Sequence, residues 1–316
     1  MKKSIVFFLA CLNFACDTEI NPTLNPAAEV MVVDAWLNDK NETQKIFLTI
    51  SQPYFDQSQP EMVEGASVNV KDLSSGETIT FVETDAYYGW EPGDEEFLVV
   101  GHQYQLLLEV DGKAFTANAG LGEVPEVDSV RFTYNPKDIN FKEPYFTAEF
   151  MANDIPGRGD SYWIKAWKNG VYLSKPSEIN IAYDAGFSST QTMDGVLFNQ
   201  IIRKDFVNPW DENPEKENSF LPPYVVGDSL YLEIHSIDPM AFEFLSGVIL
   251  QTNRPGGFSE LFATPLSNVI SNIYPVSEES STKVQGFFNV SSVKSGGGKL
   301  TETIAETVKN KAIIDN

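Results

Sequence analysis

The chain has 316 residues, with 22 Lys and Arg against 45 Asp and Glu, so it carries a formal charge of −23 at neutral pH. That acidity excludes binding to a nucleic-acid backbone, which needs clustered cations, and disfavours docking on anionic lipid headgroups. Two histidines alone are too few N/S ligands for a structural zinc site, which takes about four, and the two cysteines, Cys11 and Cys16, both lie at the extreme N-terminus.

The N-terminus reads Met1-Lys2-Lys3, an apolar run from Ile5 to Leu12, then Asn13-Phe14-Ala15-Cys16-Asp17. A basic start, a short apolar core and a small residue before a cysteine form a bacterial lipoprotein signal over residues 1–15. Cys16 is then the first mature residue and the lipidation site. Cys11 is a poorer choice, because the apolar core shortens and Leu12 and Phe14 fall just after the cut. Removing 15 of the 316 residues takes away Lys2 and Lys3 only, which leaves 20 basic against 45 acidic residues, or −25. Several acyl chains anchor such a body stably where one chain binds only marginally. Both cysteines lie in or beside the signal, so the mature body has no disulfide. No later apolar stretch reaches the roughly 20 residues of a spanning helix. Residues 16–28, polar with Pro22 and Pro26, read as a tether.

Strand patterns then follow closely. Val30 to Leu37 is an apolar run. Lys45 to Ser51 alternates, with Ile46, Leu48 and Ile50 on one side. Ala66 to Asp72, Thr78 to Thr84 and Gln103 to Val110 continue the period of two. Asp111-Gly112 turns the chain into Lys113 to Asn118, a hairpin signal. These elements predict a first β-sandwich over residues 29–120. A Gly/Glu/Val/Pro stretch up to Asp128 reads as a hinge into a second β-rich unit, residues 127–294. Its strands are Ser129 to Tyr134, Tyr145 to Asn153, Ser161 to Lys168, Val171 to Leu173 after an Asn169-Gly170 turn, Asp228 to Ser236, and Val284 to Val290. One helix is inserted over residues 239–251. Asp238 is its N-cap, Pro239 takes the first position, and Ala241, Phe244, Leu245, Val248 and Ile249 recur at helical spacing. Ser295-Gly-Gly-Gly298 reads as a flexible link. It leads to an amphipathic tail in which Leu300, Ile304 and Val308 share one stripe, so residues 295–316 form a possible partner element. The fold class is thus mainly β, with two sandwich-like domains, the first immunoglobulin- or transthyretin-like.

Gly227-Asp228-Ser229-Leu230 spells an esterase nucleophile block. A serine hydroxyl needs an adjacent base, however, and the only later histidine, His235, lies six residues on in the same strand. The plainer reading is a turn feeding a strand, in which Leu230, Leu232 and Ile234 face one way and Tyr231, Glu233 and His235 the other. No Asp-x-Asp-x-Asp-Gly loop and no phosphate-binding glycine loop is present. The expectation is therefore a protein that is not an enzyme and holds no cofactor and no metal. Aromatic clusters in predicted loops are the candidate binding residues: Tyr54 and Phe55, then Tyr87, Tyr88 and Trp90, then Trp210. Asp128-Ser129-Val130 and Asp228-Ser229-Leu230 resemble the O-glycosylation acceptor of Bacteroidota envelopes, which makes Ser129 and Ser229 candidate modification sites.

Several of these segments, in order, resemble one family. They are Cys16-Asp17-Thr18-Glu19-Ile20, Val32-Val33-Asp34-Ala35-Trp36-Leu37, Ser51-Gln52-Pro53-Tyr54-Phe55-Asp56, and Val63-Glu64-Gly65-Ala66-Ser67-Val68. The hairpin from Tyr104 to Lys113, Val127-Asp128-Ser129-Val130, Gly227-Asp228-Ser229-Leu230 and Ser236-Ile237-Asp238 complete the set. The resemblance is to the Bacteroidota lipoprotein family labelled domain of unknown function 4249, and it spans roughly Cys16 to Val293. It implies an outer-membrane lipoprotein, often encoded beside TonB-dependent receptors, with no catalytic residues to carry over. The role expected is a lipid-anchored accessory subunit of a TonB-dependent transporter, on the periplasmic or cell-surface face of the outer membrane. The alternatives are a stand-alone glycan- or peptide-binding lipoprotein and a carboxylate-dependent hydrolase.

Overall fold

The computed structural model describes residues 28–314, except 54–55, 57, 94–96, 189, 191–192, 255–262, 264, 266 and 278–282. Cys16, the signal, residues 16–27 of the tether, Tyr54 and Phe55 lie outside the described residues. The strands run in chain order as β1 Met31–Asn38, β2 Gln44–Ile50, β3 Ser67–Asp72, β4 Thr78–Glu83, β5 Tyr88–Trp90, β6 Gln103–Val110, β7 Lys113–Gly120 and β8 Ser129–Asn135. They continue as β9 Tyr145–Met151, β10 Ser161–Lys168, β11 Val171–Tyr172, β12 Asn180–Tyr183, β13 Ser229–Ser236, β14 Tyr274–Pro275, β15 Val284–Ser291 and β16 Val293–Lys299. The α-helices are α1 Gln200–Lys204, α2 Pro239–Thr252 and α3 Glu302–Ile314. The protein is mainly β, as its alternating sequence predicts.

The first sheet has the order β14-β7-β6-β3-β4-β5-β2-β1-β15. Alternation fixes its inner face: β1 buries Met31, Val33, Ala35 and Leu37 and turns Asp34 and Trp36 outward. The sheet curls until β15 packs over β7, closing one apolar core in a sandwich-like body. The two expected tight turns are present. Asp111 and Gly112 take φ values of 51° and 71°, Asn169 and Gly170 of 51° and 79°, the left-handed pair that a two-residue hairpin requires.

The second sheet orders as β11-β10-β13-β16, with β12 also on β10, and a separate β8–β9 hairpin packs against it. Helix α2 begins where expected. Asp238 accepts the Met240 amide at 2.9 Å, and Pro239 occupies a position whose amide has no helical partner anyway. It buries Ala241, Phe242 and Leu245 in a third cluster with Ile181, Ile237 and Phe287, which joins the two sheets.

The C-terminal expectations need correction. Val284–Ser291, expected in the second unit, returns to the first sheet and pairs parallel with β1. The chain then crosses at Ser292, whose amide binds Ser236 Oγ at 2.9 Å and whose hydroxyl binds the Gly122 carbonyl at 2.6 Å. Ser295 to Gly298, expected as a flexible link, are the middle of strand β16, paired with β13. Their glycines serve close approach. A Cβ on Gly296 would sit 2.5 Å from Val127, and one on Gly297 would sit 2.8 Å from the Leu230 carbonyl oxygen. The tail helix is docked, not detached. Leu300 and Ala305 are fully buried, and Val308 packs on the same core.

Candidate functional site

Outward side chains of β1, β10 and β13 come together at the junction of the sheets, beside a cavity walled by β1 and β2, and this junction is termed the groove. Trp36 of β1 and Trp163 of β10 form its floor, ring centroids 5.1 Å apart and edge-to-face, with Phe287 stacked beneath Trp36 at 5.7 Å. Such aromatic pairs resist displacement and give a firm base. Lys165, two residues on from Trp163 and so on the same face, lays its ammonium 4.1 Å from the Trp163 ring centroid. Across the sheet, Trp163 pairs with His235 and Lys165 with Glu233. Asp34, Trp36, Glu42, Lys45 and Phe47 line an adjoining cavity of about 460 Å³.

Charge is unevenly satisfied in this groove. Glu233 is saturated: Lys40 and Tyr231 donate to Oε1 at 2.8 and 2.9 Å, and His235 Nε2 lies 3.0 Å from Oε2. Burial opposes its ionisation, but the bonds from His235, Lys40 and Tyr231 win and hold the carboxyl at about 2. His235, almost wholly buried, is pushed down to about 4 by burial against the pull of Glu233, so it is neutral at pH 7 and donates Nε2–H to the carboxylate. Lys165 is different. Burial pulls its ammonium down to about 8, and among the described residues no carboxylate comes within ion-pair distance of it. Asp34 is its counterpart: burial raises the carboxyl, and the attraction of Lys165 and a hydrogen bond from Trp36 only partly restore it. Asp34 is itself exposed, on the wall of the adjoining cavity. An ammonium out of ion-pair reach of the described carboxylates, and an exposed carboxylate whose hydrogen bond comes from Trp36, can together hold a ligand that carries polar groups of both signs.

The candidates read from sequence are scattered. Tyr88 is not in a loop and does not face solvent. It sits in β5, fully buried, with its hydroxyl donating to the Val63 carbonyl at 2.8 Å and accepting the Ala66 amide at 3.0 Å. Trp90, in the same strand, packs on Phe81 and Phe97 of the first core. Tyr87 is half-buried against Phe47, with Lys45 over its ring at 4.7 Å, and so borders the cavity. Trp210 is the exposed member, 52% accessible. Ser129 opens β8 and Ser229 opens β13, both half-buried. Among the described residues Ser229 Oγ meets only Asn169 Oδ1, at 3.4 Å. His235 lies six strand positions away, roughly 20 Å at 3.3 Å per residue, so it cannot serve as a base for Ser229. Sequence reasoning passed over Asp34, Trp163 and Lys165. The available signal was a charged or aromatic residue at alternate positions of two strongly apolar strands.

The class defined by this fold is a mainly β protein with two large sheets, a separate hairpin and a groove where the large sheets meet. The chain belongs to the family of the domain of unknown function DUF4249, whose model matches residues 17–296. That match ends within β16, so α3 lies beyond it. No curated protein matches the chain.

Proposed function

We propose that the protein is a lipid-anchored ligand-binding subunit of the Bacteroidota outer membrane that serves a TonB-dependent transporter. The observation that carries the binding reading is the inter-sheet groove, where Lys165 has no described carboxylate within ion-pair distance and Asp34 lies exposed beside Trp36 and Trp163. A buried charge without an ion-pair partner costs stability, and an anionic group of a ligand at this place would supply one to Lys165. The lipid-anchored reading rests on the run from Lys2 to Cys16 and on an acidity that disfavours any other hold on an anionic membrane. The test is purification from the native envelope in mild detergent, comparing the natural chain with Cys16→Ser and with Asp34→Asn/Lys165→Met. A TonB-dependent receptor should co-purify with the natural chain. Cys16→Ser should move to the soluble fraction without lipid label. The groove variant should stay anchored but lose bound ligand from its mass spectrum. A receptor-free preparation, or retention of the lipid label by Cys16→Ser, would refute the proposal.

A further inference from the structure

A second site lies in the C-terminal unit, between the β8–β9 hairpin and the loop after α1. The loop after α1 carries Asn208, Pro209 and Trp210, and it is pinned at both ends. Asn208 is buried and mimics a strand residue: its Oδ1 accepts the Ala148 amide at 2.8 Å and its Nδ2 donates to the Ala148 carbonyl at 2.7 Å. On the other side, Lys175 pairs with Asp211, and the Leu221 amide donates to the Asp211 carbonyl at 2.8 Å. Between these anchors Trp210 rests on Phe141 and Phe220, with centroids at 5.4 and 5.0 Å. The rings beneath it are fixed in turn. Phe141 stacks on Tyr145 at 4.0 Å, and Tyr145 donates its hydroxyl to Asp138 at 3.0 Å. The indole is thus held rigidly while half of it stays in water.

Core packing does not explain that arrangement, since an anchored ring left half exposed gives up much of the stabilisation its burial would provide. A rigid, exposed aromatic platform is what a binding site needs, because little ordering entropy remains to be lost. Trp210 borders a cavity of about 450 Å³ whose rim includes Asn135, Lys204 and Asp205. Asn135 spends its amide hydrogens on Thr133 and Thr147, which leaves Oδ1 open. Among the described residues, the Lys204 and Asp205 side chains form no ion pair or hydrogen bond. Their charges cancel, so the rim offers donors and acceptors without net attraction for an anion or a cation. A flat apolar face ringed by balanced polar groups complements a molecule with C–H bonds on one face and hydroxyls at its edge.

We propose that the Trp210 cavity is a binding site for a neutral saccharide, stacked on the indole and hydrogen-bonded by Asn135, Lys204 and Asp205. The site is separate from the inter-sheet groove and does not depend on it. The test begins with the mature chain on an array of neutral oligosaccharides and, in parallel, on an array of random peptides. The retained saccharide is then titrated by calorimetry. Trp210→Ala should weaken binding at least about tenfold, as truncation of a central aromatic anchor does, while the chain stays folded with a lowered thermal transition. Lys165→Met should bind the saccharide as the natural chain does. If Trp210→Ala proves unfolded, the double variant Lys204→Ala/Asp205→Ala, which touches only the rim, takes its place with the same expected loss. Retention of peptides but no saccharide, retention of nothing, or equal saccharide affinity in the folded variants would each overturn the proposal.

Discussion

Lys165→Met should make the protein more stable, an unusual expectation for a residue within a folded sheet. The side chain is charged, largely enclosed and unpaired, and its ammonium is pulled from 10.5 to about 8. At about 1.4 kcal/mol per pH unit, that drop corresponds to about 3 kcal/mol of native-state cost at neutral pH. Methionine keeps the length and the contact with Trp163 but gives up a cation–π attraction of about 0.5–1 kcal/mol. The net gain is therefore about 2 kcal/mol, or roughly 4 °C in melting temperature for a chain of this size. The pH dependence supplies the sharper check. Between about pH 8 and 10.5 the unfolded chain holds a proton that the native state has released, so the natural protein gains stability as pH rises through that window. Lys165→Met lacks this gain. Urea unfolding of both chains at pH 7, 8, 9 and 10 should show the variant's advantage shrinking with each step. A variant less stable than the natural chain at pH 7, or a constant difference across the series, would refute the assignment of an unpaired ammonium to the groove.

Other elements make independent predictions. As pH falls from about 6.5 to about 4, the unfolded chain binds a proton that buried His235 refuses, so stability should drop; Glu233, held at about 2 against 4.5, extends the loss to lower pH. His235→Gln should flatten the upper part of that decline in urea midpoints taken at pH 7, 5.5 and 4. Leu300→Ala should cost roughly 2–5 kcal/mol in chemical denaturation, because the side chain is wholly buried; a loss near zero would mean that the C-terminal segment is not docked. Gly297→Ala should cost roughly 1–3 kcal/mol as its methyl meets the Leu230 carbonyl, whereas a free linker would tolerate alanine without loss.

The sequence by itself determined the local elements. Period-two alternation marked β2, β3, β4 and β6 and the two faces of β13, while β1 read only as an apolar run and β5, β12, β14 and β16 went unread. Asp-Gly and Asn-Gly dipeptides located two hairpins, because their left-handed φ values leave few other residues suitable. Asp238-Pro239 marked the start of α2, because capping chemistry is local. Tyr231, Glu233 and His235 were legible as one face of one strand. Which surface that face meets was not legible, because it depends on Lys40, more than 190 positions away, and on β10 across the sheet. The same limit explains the glycines of β16. In sequence Ser-Gly-Gly-Gly reads as freedom, whereas in the fold Val127 and Leu230 press so close that only glycine fits. It also explains Tyr88, whose neighbours suggest a loop until Val63 and Ala66 enclose its hydroxyl. Alternation tells each strand which residues share a face, but pairing between distant strands is paid for in chain entropy and decided by the whole core. The groove with Asp34, Trp163 and Lys165 therefore exists only once both sheets have formed and α2 has joined them.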